Sequence, residues 1–213
     1  MNLFRLVADL LHLGSIFILI ARLSQTKSCS GISLKTQGLY LLVFITRYLD
    51  LFFSFVSVYN TLMKIFFLVS AGYIVYLMTG SLKTTYDKNL DSFRVEFLIG
   101  GAALFALLFP HKYTILEVLW SFSIYLEAVA IMPQLFQMTR TGEADNITSH
   151  YIFALGGYRA LYIVNWIYRY YSEDNYSDYI AWVSGVVQTV LYADFFYIYF
   201  TRVLKGKEFK LPV

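Results

Sequence analysis

The sequence predicts an all-α membrane protein with seven transmembrane helices, arranged as two parallel three-helix repeats joined by a linker helix. Three observations predict it. Of the 213 residues, 58% are hydrophobic and only 15% are charged, where a soluble domain carries about 25% charged residues. The apolar residues fall into seven runs separated by short polar breaks. The runs are close to the roughly 20 residues that a helix needs to cross a bilayer, and only helices or closed barrels satisfy every backbone group there. Runs this long and this uniformly apolar do not read as barrel strands.

The runs cover residues 3–22, 37–58, 62–79, 95–110, 114–137, 149–171 and 179–203. The first has no small-residue cleavage site after it and reads as a retained helix, not a signal peptide. The stretch 23–36 holds Lys27, Lys35 and a Ser/Gly cluster, and Tyr59-Asn60-Thr61 reads as a tight turn. The stretch 80–94 is charged, with Lys83, Asp87, Lys88, Asp91 and Arg94. Pro110-His111-Lys112 reads as another turn. The break at 138–148 carries Arg140, Gly142, Glu143 and Asp145, and the last break is Ser-Glu-Asp-Asn-Tyr-Ser-Asp at 172–178. Together the spans form one domain over 1–213 with a short tail at 204–213. Pro133-Gln134, late in the fifth run, marks a kink or a helix end.

Orientation follows from lysine and arginine. One side carries Arg22, Lys27, Lys35, Lys83, Lys88, Arg94, Arg140, Arg202, Lys205, Lys207 and Lys210; the other carries Lys64 and Lys112. Positive flanks stay cytosolic, which puts the C-terminus in the cytosol and the N-terminus on the lumenal or extracellular side. The repeat is suggested by an echo between residues 26–33 and 139–148, each following a helix that runs toward the cytosol and leading into a new span.

Arg5, Arg47, Arg159 and Arg169 lie inside the runs or at their ends. A charge at a span centre costs roughly 2.5–3.5 kcal/mol on insertion scales. Snorkelling to the interface is an alternative for Arg5 and Arg169. Arg47 and Arg159 sit about ten residues from either end of their predicted spans, too deep for that. Helical spacing sharpens the pattern. Arg5, Asp9 and His12 share one face of the first helix. Arg47 and Asp50 are three apart on the second, and Glu117, Trp120 and Glu127 line one face of the fifth. Arg159, Tyr162, Trp166 and Arg169 line one face of the sixth.

Four polar stripes predict one cavity facing the lumen. Arginine forks suit carboxylates, so the predicted ligand is an acidic peptide. Structural ion pairs with Asp9, Asp50, Glu117 and Glu127 are the plainer alternative for some of the arginines. His12, beside Arg5 and Asp9, is a candidate proton switch, because the reference imidazole titrates at roughly 6.5. His111 and His150 sit at span edges and read as interfacial. Asp194 falls mid-span in the seventh run.

A single cysteine, Cys29, allows no intrachain disulfide. The histidines and Cys29 have no metal-ligand spacing, and no nucleophile motif or phosphate loop is present. No enzyme, cofactor or metal is predicted. A net charge of +3 gives no footing for nucleic acid. From the residues two readings stay open: a proton-gated receptor for an acidic peptide, and a proton-coupled small-solute transporter. Several fixed arginines and a basic tail favour the receptor.

Longer motifs add a resemblance. The segments Thr46–Leu51, Phe93–Leu98, Ser123–Leu135, Tyr158–Tyr162, Asn165–Ile167, Gly185–Thr189, Tyr192–Tyr197 and Val203–Lys207 resemble those of the endoplasmic-reticulum retention receptors, the KDEL receptors, and the likeness runs from Met1 to the C-terminus. It implies seven helices with a SWEET/PQ-loop-like repeat. It further implies capture of a C-terminal Lys/His-Asp-Glu-Leu signal in the acidic Golgi and its release at neutral pH. By that resemblance Arg5, Arg47, Tyr48, Asp50, Ser54, Glu117, Trp120 and the stretch from Tyr158 and Arg159 through Tyr162, Asn165 and Trp166 to Arg169 contact the signal. His12 is the implied proton sensor, coupled to Glu127 and Tyr158. Asp194, Lys205 and Lys207 are implied in return transport with the COPI coat. The chain departs from the family pattern at Glu208, where a lysine is expected, in lacking a serine near its end, and in a sixth-to-seventh loop one residue longer.

Overall fold

The computed structural model describes residues 2–174, 176–205 and 209–210. It is mostly helical: α1 (Leu3–Thr26), α2 (Leu34–Arg47), α3 (Val58–Thr79), α4 (Val95–Leu108), α5 (Ile115–Val129), α6 (Met132–Thr141), α7 (Asn146–Ser172), α8 (Tyr179–Leu191) and α9 (Ala193–Thr201). Two two-residue strands, β1 (Glu143–Ala144) and β2 (Phe209–Lys210), pair antiparallel.

Most helices begin at a polar cap, which satisfies a backbone N–H that the helix cannot. Asn2, Ser33, Ser57, Thr114, Asp145 and Asp178 accept from the amides of Arg5, Thr36, Asn60, Glu117, Thr148 and Ala181. The caps correct several predicted boundaries. α2, α3 and α7 start at Leu34, Val58 and Asn146, ahead of the apolar runs at 37, 62 and 149. The predicted turn Tyr59-Asn60-Thr61 is the first turn of α3, because Ser57 Oγ receives Asn60 N–H at 3.2 Å.

Three helical stretches are long and apolar enough to cross a membrane: Leu3–Thr26, Val58–Thr79 and Ile115–Thr141, the last running across the break between α5 and α6. The pair Tyr179–Leu191 and Ala193–Lys205, bent by 44°, makes a fourth. The chain is therefore an all-α membrane protein by the length and composition of these helices. The remaining runs take other forms. The run at 37–58 is not one helix: α2 stops at Arg47, Leu49–Phe52 forms a 3-10 turn, and the chain then extends to Ser57. The carbonyl of Asp50 takes the amides of Phe53 and Ser54 there, and the Ser54 hydroxyl as well. α4 has 14 residues, or about 21 Å of helix. α7 has 27 but carries His150, Arg159, Asn165 and Arg169, which lower its hydropathy.

The chain divides into two compact units, Ile32–Gln137 and, discontinuously, Met1–Gly31 with Met138–Val213. Both divisions fall in or beside the two echoing segments. Each of these segments contains a left-handed glycine, Gly31 (φ 78°) or Gly142 (φ 74°), shortly before an N-cap, Ser33 or Asp145. Glycine adopts that conformation without a Cβ penalty.

In the discontinuous unit α1 packs along α7, and α8 and α9 pack against α7. The buried face of α1 is Ala8, Asp9, His12, Ser15, Ile16, Leu19, Arg22 and Leu23, one helical stripe. Gly156 lets α7 approach α9: a Cβ there would meet ring atoms of Tyr192 and Phe196 at 2.6–2.9 Å. Gly185 on α8 leaves the room that the Trp166 ring fills. Phe209 is buried and stacks on Phe195 at 5.2 Å, so β2 holds the end of the described chain beside β1.

In the other unit α2 packs on α3 and α5, and α4 on α5. Its polar knot joins the start of α2 to the 80–94 loop and to α6. Asp91, fully buried, accepts from Ser33 Oγ (2.8 Å), Lys35 N (3.1 Å) and the Tyr86 hydroxyl (2.8 Å). Gln134 Oε1 accepts from Ser33 N at 2.8 Å, and the Gln134 backbone N–H donates to Thr36 Oγ1 at 3.0 Å. The Pro133-Gln134 pair is thus a break and restart of helix. Proline, which lacks an amide hydrogen, sits in the first turn of α6.

Candidate functional site

The polar side chains singled out in the sequence fall into both units, and each group is described by itself. In the discontinuous unit they line the contact of α1 with α7. Asn2 Nδ2 donates to Asn165 Oδ1 at 2.7 Å. The Tyr162 hydroxyl donates to Asp9 Oδ1, and Arg5 Nε lies 4.0 Å from Asp9 Oδ2. The His12 ring stacks on Tyr158 with centroids 4.0 Å apart and planes 6° from parallel.

Arg159 lies at the centre of this group, buried to 6% exposure. Its guanidinium carbon sits 5.2, 5.9 and 6.0 Å from the ring centres of Tyr158, Tyr162 and Trp166, and Nη2 donates to the Tyr158 hydroxyl at 3.3 Å. Cation–π attraction strengthens when such a group is desolvated. Arg169, nearly three turns along α7, is only part-buried and pairs with Glu173.

In the other unit Arg47 is the last residue of α2, not a mid-helix residue as its run predicts. Its guanidinium still turns inward. Nη1 meets Glu127 Oε2 at 2.6 Å, Nε donates to Ser123 Oγ at 3.1 Å, and Nη2 donates to Ser123 O at 3.0 Å. Glu127 is buried to 1% exposure. A buried arginine–carboxylate pair with extra hydrogen bonds is the arrangement that offsets desolvation. The predicted i, i+3 helical relation of Arg47 to Asp50 does not form, because Asp50 lies in the 3-10 turn beyond the helix end. Lys64 on α3 holds Asp50, with Nζ at 2.5 Å from Oδ2. Tyr48, the α2 C-cap, stacks on Phe44 at 5.7 Å, and Ser54 is exposed.

Glu117 and Trp120 share the first turns of α5. Thr114-Ile115-Leu116-Glu117 has the pattern of a capping box, with Thr114 Oγ1 receiving Glu117 N–H at 3.4 Å. The structure thus gives Glu117 a local helix-start role whatever else it does. Trp120 lies 5.8 Å from the His111 ring. Asp194 is exposed in the first turn of α9, beyond the bend at Tyr192, so it is not mid-helix as predicted. Lys205 is exposed, and Lys207 and Glu208 lie outside the described residues.

Two groups were not legible in the sequence. Arg22 reads as an ordinary flanking charge, yet it is 6% exposed. It reaches Asp145 Oδ2 (2.9 and 3.2 Å), Ser28 O (2.7 Å) and Ser30 O (2.5 Å), tying the end of α1 to the cap of α7. Burial alone would raise the Asp145 carboxyl, but hydrogen bonds from Thr148 and Arg22 hold it below its usual range. The echo between 26–33 and 139–148 was the available signal. His150 reads as interfacial, but its Nδ1 lies 2.6 Å from the Tyr199 hydroxyl, joining α7 to α9. Neither residue's neighbours in the sequence mark that contact.

A sequence model described as ER lumen protein retaining receptor matches residues 28–169. The chain is 58% identical over 212 residues to an ER lumen protein-retaining receptor of Drosophila melanogaster, covering 100% of both chains. It is 57% identical to ER lumen protein-retaining receptor 2 of Homo sapiens, again covering 100% of both. ER lumen protein-retaining receptor erd-2.1 of Caenorhabditis elegans is 57% identical over 208 residues, 98% of this chain and 97% of that one.

Proposed function

The chain belongs to the ER lumen protein-retaining receptor family, and from that premise we propose that it returns escaped lumenal proteins to the endoplasmic reticulum by binding a C-terminal Lys/His-Asp-Glu-Leu signal. Binding occurs in the acidic Golgi and release at neutral pH. The observation that carries this reading is the surroundings of Arg159. A cation buried to 6% exposure is encircled by aromatic faces, beside a histidine stacked on one of those rings. Such a group suits an anionic ligand, whose carboxylates bind arginine forks in pairs. A histidine there suits a compartment-dependent response, since protonating it adds positive charge where an anion is to sit.

In this proposal Arg5, Arg47, Arg159 and Arg169 serve the carboxylates, with Tyr48, Ser54, Tyr162, Asn165 and Trp166 around the peptide. Asp50, Glu117 and Trp120 face its cationic head, and His12, Tyr158 and Glu127 form the switch. Asp194, Lys205 and Lys207 serve the cytosolic COPI coat during return. Seven spans form one domain, with the N-terminus lumenal. Supporting this, α7 is about 40 Å long despite its polar residues, and lysine and arginine crowd the breaks assigned to the cytosol.

The test is peptide binding to the purified full-length receptor across pH. Peptides ending in Lys-Asp-Glu-Leu are compared as free acid and as C-terminal amide. The free acid should bind more tightly, and more so as pH falls. Equal binding of the amide would remove the carboxylate reading. An unchanged pH profile in His12→Ala would move the switch elsewhere.

A further inference from the structure

Arg169 and its partners form a pair of a different kind from Arg47 and Glu127. Glu173 lies one turn after Arg169, at the α7 C-cap. Its carboxylate takes both hydrogen-bonding positions on one edge of the guanidinium. Nε donates to Oε1 and Oε2 at 2.9 Å, and Nη2 donates to Oε2 at 2.7 Å. The face of the same guanidinium lies 3.8 Å from the ring centre of Tyr176. Tyr176 is braced in turn by Trp182 of α8, at 6.4 Å, and α8 starts at the Asp178 cap next to it. The face of Arg169 is therefore held by the ring of Tyr176. Its edge is held by a single carboxylate.

Exposure separates the two arginine pairs. The side chains of Arg169 and Glu173 are 31% and 48% exposed, while those of Arg47 and Glu127 are 15% and 2% exposed. An exposed pair four residues apart on a helix shifts an equilibrium by only about twofold. That is too little to lock Arg169 and enough to keep its fork occupied. Hydrogen bonds from Arg169 also hold the Glu173 carboxyl below its usual range, so it stays ionised at mildly acidic as well as neutral pH.

We infer that Glu173 is a tethered stand-in for the ligand's carboxylate: it fills the Nε/Nη2 edge of Arg169 in the empty receptor and yields that edge to the incoming peptide, while Tyr176 keeps the guanidinium in place through the exchange. The inference rests on the retrieval reading, with Arg169 as a carboxylate contact. It adds a competitor built into the chain, which lowers affinity modestly and keeps a partly buried fork from binding unrelated anions.

The test uses the full-length receptor and the same free-acid and amide peptides at acidic pH. Glu173→Gln removes the stand-in. Asp174→Asn removes the same charge from the neighbouring exposed position. Glu173→Gln should tighten free-acid binding about twofold and leave amide binding unchanged, while Asp174→Asn should do less. Tyr176→Leu should weaken free-acid binding, because the guanidinium loses its support. Weaker or unchanged binding in Glu173→Gln would overturn the inference, as would an equal gain in Asp174→Asn, which would reduce the effect to general charge. If the wild-type receptor did not prefer the free acid, the retrieval reading would fall and the inference with it. A preference with no gain in Glu173→Gln would sink the inference alone.

Discussion

Arg47 Nη1 lies 2.6 Å from Glu127 Oε2, joining the last residue of α2 to the buried face of α5. Removing one partner of a buried ion pair leaves an uncompensated charge and costs about 3–5 kcal/mol. Arg47→Ala should therefore lower the melting temperature of the purified receptor as well as abolish peptide binding. Adding Glu127→Gln should restore much of the stability without restoring binding. Thermal unfolding followed beside peptide affinity checks both. A double variant no more stable than Arg47→Ala would show that the pair contributes little.

Asp145 is both the α7 N-cap and the partner of Arg22. Its carboxyl titrates lower in the folded chain than its ordinary 3.8. Its stabilising contribution is thus complete above the ordinary value and is lost as pH falls through the lower folded one. Between mildly acidic and neutral pH it stays constant, so Asp145 is not part of a switch there. Asp145→Ala should cost about 0.5–2 kcal/mol through the lost cap. Asp145→Asn, which keeps a capping oxygen, should cost less. Stability curves at neutral and mildly acidic pH should shift in parallel in both variants.

Gly156 and Gly185 leave room for aromatic rings where α7 meets α9 and α8 in the discontinuous unit. A Cβ at Gly156 would meet the Tyr192 and Phe196 rings, and one at Gly185 would meet Trp166. Overpacking of this kind costs about 1–3 kcal/mol. Gly156→Ala should show mainly as lost thermal stability. Gly185→Ala should also weaken peptide binding, because Trp166 flanks Arg159. Wild-type affinity in Gly185→Ala would separate Trp166 from the ligand.

Phe209 is buried against Phe195 beside the β1–β2 pair. Phe209→Asp should detach the end of the chain by putting a charge where an aromatic ring stacks. Faster amide exchange at residues 143–144, with unchanged exchange in α1 and α7, is the expected result. Unchanged protection at 143–144 would show that the strand pairing holds without the ring.

Much of the architecture could be read directly. The apolar runs located α1, α5 and α8 to within a residue of their starts. Where they misplaced α2, α3 and α7, the missing signal was local: Ser33, Ser57 and Asp145 are capping residues ahead of each run. The end of α2 was harder. Nothing in 48–57 forbids helix as a proline would, and the chain departs from it where Asp50 meets Lys64 of α3.

The candidate site divides along the same line. Helical periodicity alone put Asp9 and His12 on the buried stripe of α1, and Arg159 with Trp166 on the buried stripe of α7. Those are relations within one helix, set by 3.6 residues per turn. Partnership is a relation between helices. Lys64 on Asp50, Glu127 on Arg47, Arg22 on Asp145 and His150 on Tyr199 each join segments distant in sequence, or a loop to a helix. The sequence by itself determined that this is a helical membrane protein whose costly polar side chains share helix faces, because apolar runs and helical spacing are local properties. Only the tertiary structure decided which distant partner residues such as Arg22, Arg47, Asp50 and His150 meet, because that depends on how the helices pack and on which groups packing removes from solvent.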